Sequence, residues 1–288
     1  MALNIETFKT RSLTAILFVL IMSVGLLVNE WAFLLLFTII HFGCWQEYQK
    51  LMGMIDKDYH QISPFHKYGV MLAGLGFMLW QSQDVYAIGP VLLKDIGCWL
   101  LVAVAVILPV TEMILKKGLN EKVYGFSFIG FAYISLSLGL MINLRTRVIP
   151  SSFGEVGWVI PIVLIVSIWI NDTMAYMVGS FIGKRPLSKI SPKKTWEGTI
   201  GGAILAVAGV TFLAHLIFEL SIVSSIIISS IAVITGTLGD LFESKLKRMA
   251  GVKDSGNIMP GHGGFLDRFD SLLLATPFVW LYVIFLMK

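Results

Sequence analysis

Charged residues are scarce in this sequence: they make up 14% of its 288 residues, whereas hydrophobic residues make up 56%. Soluble domains average about a quarter charged residues. The 22 Lys and Arg and the 18 Asp and Glu are also gathered into a few loops, so they cannot cover the water-facing surface of a protein of this size. The scarcity excludes an ordinary soluble protein and indicates that lipid is the solvent for most of the chain.

Several chemical motifs are also absent. The two cysteines, Cys44 and Cys98, have no CxxC or Cys/His spacing, which excludes a disulfide framework and a zinc site that could be read from the sequence. The segment GSFIGKR has one residue too few between Gly179 and Gly183 for a P-loop, and Arg185 stands where Ser or Thr is needed. We therefore exclude a Walker-type nucleotide site.

Long apolar runs are abundant. Runs of about 20 apolar residues, the length needed to cross the hydrocarbon core, predict an all-α integral membrane protein, a polytopic bundle of about nine transmembrane helices. We place them at residues 12–28, 31–51, 68–90, 95–115, 123–143, 157–178, 199–218, 220–238 and 271–287. The third run is interrupted by Gln81, Gln83 and Asp84, and Trp80 is its alternative end. Residues 1–156 would hold about five N-terminal helices, and residues 157–288 a C-terminal catalytic region with two long loops.

Basic residues are distributed unevenly between alternate loops. One set of loops contains only Lys94, Arg145, Arg147 and Lys288, and the other set contains all the rest of the 22. Because cytoplasmic loops carry the excess of Lys and Arg, the richer set and the N-terminus are predicted to be cytoplasmic, with the C-terminus outside. A plain topology signal accounts for most of these residues, although the same face would attract anionic lipid and polyphosphates.

The first cytoplasmic loop of interest follows WINDTMAYMVGSFIGKR, which starts at Trp169. Asp172 lies within an apolar run, where an ionisable side chain is costly and is a functional candidate by default; pairing within the bundle is the equal alternative. Tyr176 is one turn further on and could share its face. Lys193 and Lys194, taken alone, fit an ordinary solvated loop end.

The second loop, from Gly239 to Ser271, mixes charges with glycines. If the eighth span continues as a helix, Asp240, Ser244 and Lys247 share one face. Pro260 and the glycines around His262 are then expected to break the helix, and Asp267 and Asp270 to fall on the first turn of the last helix, where the helix dipole alone could favour them. Carboxylates, lysines and flexible glycines in this arrangement also fit a phosphate-transfer site with Mg²⁺.

This loop resembles the C-terminal signature of the phosphatidate cytidylyltransferases, also called CDP-diacylglycerol synthases. The matching segments are SKLKR from Ser244, KDSG from Lys253 and MPGHGGFLDRFD from Met259. Met259 replaces the usual Leu, Ile or Phe, a volume-conserving change. The upstream segment SPKKTWEG, from Ser191, is also similar to that family's sequence.

The resemblance implies that CTP and phosphatidic acid react to give CDP-diacylglycerol and pyrophosphate, with Mg²⁺ or another divalent metal, as one or two ions. It implies that Asp240, Asp267 and Asp270 bind the metal and that Lys247 and Arg268 join them in catalysis. The substrate-binding residues would be Asp172, Lys193, Lys194, Glu197, Ser244, Arg248, Lys253 and His262. Membrane lipid is an expected partner, nucleic acid is not, and a homodimer rests on resemblance alone. The expected location is the bacterial inner membrane, with the active site on the cytoplasmic face.

Three other classes of membrane protein share some of these features. A secondary transporter would also carry an intramembrane acid such as Asp172, but it usually has paired broken helices in two related halves. A CTP-dependent lipid-alcohol kinase or a CDP-alcohol phosphotransferase uses similar substrates, and the latter needs a DGxxAR segment, whereas no Asp-Gly pair occurs in this sequence. A scaffold role would leave the glycine-rich charged loop unexplained.

Overall fold

The structure is a computed structural model, and it describes residues 5–116, 120–257 and 263–287. Most of the described chain is helical. The helices are α1 (Ile5–Leu27), α2 (Glu30–Ile55), α3 (Lys57–His60), α4 (Pro64–Trp80), α5 (Leu93–Lys116), α6 (Glu121–Gly130), α7 (Leu136–Thr146), α8 (Val159–Ile182), α9 (Trp196–Phe218), α10 (Ile222–Met249) and α11 (Leu266–Phe285). A π-helical segment, Phe131–Ser135, joins α6 to α7, and a 3-10 turn, Gln83–Val85, follows α4.

The strands form short antiparallel hairpins between helices. β1 (Ala87–Ile88) pairs with β2 (Val91–Leu92), and β3 (Ile149–Ser151) pairs with β4 (Gly154–Val156). Gly89 and Gly154 adopt φ values of 61° and 84° in these hairpins, a left-handed conformation that glycine tolerates. Each hairpin is a two-stranded sheet that connects two helices.

Within the described chain, six helical segments are long and apolar enough to cross a membrane: Leu93–Ile114, Glu121–Thr146, Val159–Ile182, Trp196–Phe218, Ile222–Met249 and Leu266–Phe285. The protein is therefore an all-α integral membrane protein. The predicted count of about nine spans is not confirmed. In α1 the apolar stretch Leu13–Leu27 lies among the described side chains. In α2, His41, Gln46 and Glu47 interrupt the apolar run.

Helix α4 ends at Trp80, which was the alternative end of the third predicted span. Its 17 residues rise about 25 Å at 1.5 Å per residue, short of the roughly 30 Å of a bilayer core. Ser63 caps its first turn by accepting from the backbone N–H of His66 at 3.1 Å, and Pro64 occupies the first turn, where it is tolerated.

The chain divides into two compact units. Unit 1 comprises Met1–Asn143 with Met249–Arg268, and unit 2 comprises Leu144–Arg248 with Phe269–Lys288. This division follows packing, so the predicted functional boundary between residues 156 and 157 stays a prediction.

Unit 1 contains buried polar side chains that bond to one another across helices. His66 of α4 lies 3.0 Å from Glu112 of α5 through Nδ1 and 2.8 Å from Ser127 of α6 through Nε2. In the π-helical segment, Ser135 accepts a hydrogen bond from the indole N–H of Trp45 at 2.8 Å. Because buried polar groups are costly without partners, these bonds fix which helix faces meet.

Unit 2 is built on close contacts at small residues. A Cβ on Gly202 of α9 would lie 2.7 Å from the Cα of Ala175 in α8, and one on Gly198 would lie 2.9 Å from the Cα of Gly179. Gly198 and Gly202 have the GxxxG spacing that is typical of such close helix packing. A Cβ on Gly239 of α10 would similarly lie 3.1 Å from the Cα of Ser271 in α11.

Candidate active site

A cavity of about 420 Å³ in unit 2 brings together residues from both predicted loops. Helices α8, α9 and α10 and the loop before α9 supply its walls. The lining residues are Asn171, Asp172, Ala175, Tyr176, Gly179, Ser180, Lys193, Lys194, Thr195, Thr199, Thr237 and Asp240. Four of the predicted site residues, Asp172, Lys193, Lys194 and Asp240, therefore share one cavity.

Helix α8 contributes an exposed carboxylate and an aromatic ring from one face. Asp172 and Tyr176 are separated by four residues and both line the cavity, so their predicted common face is confirmed. Tyr176 is 78% exposed. The preceding residue, Asn171, is buried, and its side-chain oxygen Oδ1 has no hydrogen-bond partner. This wall therefore offers a carboxylate, a ring and an unsatisfied amide oxygen.

The loop that joins α8 to α9 turns back on itself, and this fold places the two lysines. The backbone N–H of Leu187 donates to the carbonyl of Lys194 at 2.7 Å, and that of Trp196 donates to the carbonyl of Arg185 at 2.9 Å. Thr195 then caps α9 by accepting from the backbone N–H of Gly198 at 3.1 Å. These bonds fix the backbone of Lys194 at the cavity wall.

Glu197 stabilises this loop from the first turn of α9. Its Oε2 accepts hydrogen bonds from the backbone N–H groups of Lys184 and Arg185, each at 3.1 Å. Among the described residues, Glu197 is not one that lines the cavity. The structure thus gives Glu197 a loop contact, and its predicted substrate contact stays a prediction.

Asp240, near the cytoplasmic end predicted for α10, is at the centre of the charged wall. Its Oδ2 forms an ion pair with the ammonium group of Lys194, and its Oδ1 lies 3.3 Å from the hydroxyl of Ser244. Lys247, which was predicted on the same face, pairs at 2.5 Å with the fully buried Glu243 four residues before it. Residues 240, 243, 244 and 247 follow the i, i+3, i+4 and i+7 spacing of one helix face, so this ion pair agrees with the predicted face.

Asp270 lies on α11 in unit 2 and is 9% exposed. The backbone N–H of Ser271 donates to its Oδ1 at 2.5 Å, and the charges of Asp240, Asp172 and Lys194 act on it. The close approach of α10 and α11 at Gly239 carries this carboxyl toward Asp240. Unit 2 therefore concentrates Asp172, Asp240 and Asp270 near one lysine.

Asp267 belongs to unit 1, where it organises the segment before α11. Its Oδ2 accepts hydrogen bonds from the backbone N–H of Ser255 at 2.9 Å and from that of Gly264 at 2.8 Å, and it lies 2.9 Å from the Ser255 hydroxyl. These bonds connect the two ends of a loop. The predicted binding of a metal by Asp267 stays a prediction.

The remaining predicted residues lie elsewhere. Lys253 and Arg268 are exposed in unit 1, and Arg248 is exposed at the end of α10 in unit 2. His262 lies outside the described residues. The predicted break around His262 comes too late in the chain: α10 already ends at Met249, and Gly251, with φ 71°, takes the left-handed conformation that terminates it.

A model described as the cytidylyltransferase family matches residues 9–286. The chain belongs to this family. The phosphatidate cytidylyltransferase of Bacillus subtilis is 39% identical over 183 residues, which cover 62% of this chain and 65% of that protein. The one of Brucella suis is 37% identical over 199 residues, 67% of this chain and 69% of that protein. The one of Staphylococcus haemolyticus is 48% identical over 112 residues, 38% of this chain and 43% of that protein.

The chain thus matches about two fifths to two thirds of the length of these relatives. The family membership confirms the resemblance stated from the sequence. The activity and substrates of the whole relatives come to this chain only as proposals.

The carboxylates of unit 2 are suitable ligands for Mg²⁺, the metal that the resemblance implies. Among residues 5–116, 120–257 and 263–287, no three His, Cys, Asp or Glu side chains form a group that could bind a metal ion. Mg²⁺ does not need such a cage, because it commonly binds through one or two carboxylates, substrate phosphates and water. Asp240 and Asp270, with only oxygen donors, fit that requirement.

Sequence reasoning missed two acids in this member of the family. Glu47 on α2 accepts hydrogen bonds from residues 255, 265 and 266 in unit 1, and Glu243 is the buried partner of Lys247. A usable signal existed for Glu47: it is an ionisable residue inside a predicted apolar span, the criterion that singled out Asp172. Glu243 lay inside the loop motif without matching a signature position.

Proposed function

We propose that this protein is a phosphatidate cytidylyltransferase, which transfers the cytidylyl group of CTP to phosphatidic acid and releases pyrophosphate. The observation that carries the proposal is the cavity in unit 2, where Lys193 and Lys194 face Asp172 and Asp240. Membership in the cytidylyltransferase family and the names of the relatives support it.

The reaction needs charge neutralisation and positioning more than covalent help from the protein. A phosphate oxygen of phosphatidic acid attacks the α-phosphorus of CTP and forms a new P–O bond. The bond from the α-phosphorus to the oxygen that bridges it to the β-phosphorus breaks, and the electron pair leaves with pyrophosphate. A phosphate monoester has a second pKa of about 6, so it is already ionised at neutral pH and needs no general base.

The lysines of the cavity would bind the phosphates of CTP. Lys194 is held by Asp240, so its ammonium group is oriented before the nucleotide arrives. Lys193 adds a second positive charge on the same wall. The proposal keeps four further phosphate contacts, Ser244, Arg248, Lys253 and His262. It also keeps Lys247 and Arg268 as catalytic groups and Glu197 as a substrate contact.

The metal ligands in this proposal are Asp240 and Asp270, with Asp267 as a third candidate. Mg²⁺ would neutralise charge on the nucleotide and on the departing pyrophosphate when bound. Without the metal, Asp172, Asp240 and Asp270, which lie near Lys194 in unit 2, would repel a polyphosphate, and we therefore expect activity to require the metal.

The location of the site follows from the two substrates. CTP is water-soluble and phosphatidic acid lies in the bilayer, so the cavity should open at a membrane surface. The distribution of basic residues favours the cytoplasmic face of the bacterial inner membrane, on the prediction that about nine helices cross the bilayer. A homodimer remains part of the proposal.

The decisive experiment is an assay of the detergent-purified protein with labelled CTP, phosphatidic acid and Mg²⁺. We expect CDP-diacylglycerol and pyrophosphate in equal amounts from CTP, and none with ATP or GTP. Lys194→Met should raise the KM for CTP more than about tenfold, because a phosphate contact is lost. Lys189→Met removes an exposed lysine of the same loop that does not line the cavity, and should leave KM within about threefold.

Absence of CDP-diacylglycerol from an intact preparation with Mg²⁺ would refute the proposal. Efficient turnover of ATP would instead indicate a kinase. Equal KM values for the two lysine variants would remove Lys194 from the nucleotide site while leaving the reaction assignment in place.

A further inference from the structure

Glu47 is a half-buried carboxylate in the middle of α2, a helix that is otherwise largely apolar. It belongs to unit 1 and contacts residues 255, 256, 264 and 265 and the first residue of α11, which are also in unit 1. A carboxylate in such a helix is costly unless it has partners, so the identity of those partners is informative.

Three hydrogen bonds reach this carboxylate from the loop. Its Oε1 accepts from the backbone N–H of Phe265 at 2.9 Å. Its Oε2 accepts from the backbone N–H of Leu266 at 2.8 Å and from the hydroxyl of Ser255 at 2.6 Å. Hydrogen bonds to an ionised acceptor are about twice as strong as neutral ones, and all three here share one acceptor group.

Two of these donors stand at the start of α11. The first N–H groups of a helix have no partner within the helix, and they carry the positive end of its dipole. Glu47 therefore acts as an N-terminal cap that is supplied by a different helix, about 220 residues earlier in the chain.

The shapes of the two segments match this contact. A Cβ on Gly264 or Gly256 would collide with the Glu47 carboxylate, so both positions leave room for it. One turn before Glu47, Gly43 leaves room for the ring of Phe265. Glycines on both segments thus leave space for the carboxylate of Glu47 and the ring of Phe265, and the two surfaces are complementary in shape.

Ser255 connects this contact to a predicted site residue. Its hydroxyl lies 2.6 Å from Oε2 of Glu47 and 2.9 Å from Oδ2 of Asp267. The backbone N–H of Gly264 donates to the same Asp267 oxygen at 2.8 Å. A shift of Glu47 would therefore be transmitted to Asp267 through one hydroxyl and one short loop.

We propose that Glu47 is a positioning residue, through which the N-terminal helices fix the start of α11 and the orientation of Asp267. The kinetic part of this inference rests on the proposed cytidylyltransferase activity. It gives α2, which is far from the two loops in the sequence, a role in catalysis. Glu47 acts through Asp267 and the loop and need not touch a substrate.

The test replaces Glu47 with Gln, which keeps the shape but turns one oxygen into an amide nitrogen. That nitrogen cannot accept a hydrogen bond, so at least one backbone N–H at the start of α11 loses its partner. We expect kcat to fall about 10- to 100-fold while the KM for CTP changes less than about threefold, because misplacement of a catalytic group acts on the chemical step. Hydrogen exchange of a peptide covering residues 263–270, measured by mass spectrometry, should become faster.

Glu30→Gln is the matched control, since it makes the same change at the start of the same helix. It should alter neither kcat nor exchange. If Glu47→Gln does not yield folded protein, Glu47→Asp keeps the charge but shortens the reach, and it should show smaller changes in the same directions. Ser255→Ala combined with Glu47→Gln should cost less than the sum of the two single changes, because both act through one contact.

Wild-type kcat and exchange in Glu47→Gln, or in Glu47→Asp if only that variant folds, would overturn the proposal. A kcat loss without faster exchange at residues 263–270 would also overturn it, because the loop would then not be the route. If the wild type makes no CDP-diacylglycerol, the activity assignment fails, and the exchange measurement still decides the role of Glu47.

Discussion

At the scale of single residues, Asp240 combines more of the expected chemistry than any neighbour on the cavity wall. It bonds to Lys194 and to Ser244, and its charge acts on Asp270. We expect Asp240→Asn to lower kcat on the order of 10³-fold, equivalent to about 4 kcal/mol of transition-state stabilisation, because the variant loses the proposed metal ligand and the ion pair that orients Lys194. The assay is turnover of CTP at saturating substrate, across a range of Mg²⁺ concentrations.

Glu219→Asn is a suitable control for that variant. Glu219 ends α9 with φ 56°, a left-handed conformation that Asn adopts readily. The control should therefore fold and turn over at close to the wild-type rate. If kcat of Asp240→Asn falls less than about tenfold and its dependence on Mg²⁺ is unchanged, Asp240 has only a structural role as the ion-pair partner of Lys194.

Asp267 offers a sharper distinction between a structural and a metal-binding role. The backbone N–H groups of Ser255 and Gly264 and the Ser255 hydroxyl contact the same oxygen of its carboxylate, Oδ2. Asn can place its one remaining oxygen there, so Asp267→Asn preserves the loop contact. We expect a loss on the order of 10³-fold if Asp267 also binds metal, because Asn removes the charge that the ion needs.

The measurement for Asp267→Asn is kcat together with the Mg²⁺ concentration for half-maximal rate. Less than about tenfold loss, with the same Mg²⁺ requirement, would limit Asp267 to bracing the loop. Unchanged hydrogen exchange at residues 263–270 would verify that the loop contact survived the substitution.

The sequence predicted some of these residues but could not predict their partners. Asp172 and Asp240 stood out because charge in or beside an apolar run needs a reason. Glu47 obeyed the same rule, yet its partners are about 219 residues away in the chain and could not be read from spacing. Helical spacing gave the contact between Asp240 and Ser244, and the same i, i+4 spacing predicts the pair of Glu243 with Lys247 that the sequence analysis missed.

At the scale of helices, the contact between α8 and α9 rests on the missing side chain of Gly202. We expect Gly202→Ala to lower the apparent melting temperature in detergent, since a methyl group there would lie 2.8 Å from the Cβ of Ala175. Overpacking of this kind typically costs about 1–3 kcal/mol. Turnover should fall as well, because α8 and the start of α9 supply walls of the cavity.

Gly209 provides the comparison within the same helix. A Cβ at Gly209 meets no atom within 4 Å, so Gly209→Ala should be neutral or slightly stabilising through the higher helix propensity of alanine. Equal melting temperatures for the two variants would mean that α8 and α9 adjust freely, and that the close contact does not stabilise the unit.

Helix positions followed from the sequence because hydrophobic runs have a length set by the bilayer. The end of α4 at Trp80 was open to prediction, since Gln81, Gln83 and Asp84 follow it. The predicted end of α10 was too late in the chain. Pro260 and the glycines near His262 form a denser group of helix-breaking residues than the single Gly251, which terminates the helix. The back-turning loop before α9 could not be foreseen, since the bonds of Leu187 and Glu197 leave no periodic pattern.

At the scale of the whole molecule, the basic residues predict an orientation that can be measured. A reporter inserted near Lys57, before α4, should read as cytoplasmic, and one at the Gly89 turn, after α4, as external. A reporter after Lys288 should also be external. The test is demanding because α4, with 17 residues, is not among the six segments that meet the length and apolarity of a span. If the reporters near Lys57 and at Gly89 lie on the same side, α4 does not cross the membrane. The Lys- and Arg-rich loops that follow α5 would then be external. That outcome would contradict the charge bias from which we predict a cytoplasmic CTP site.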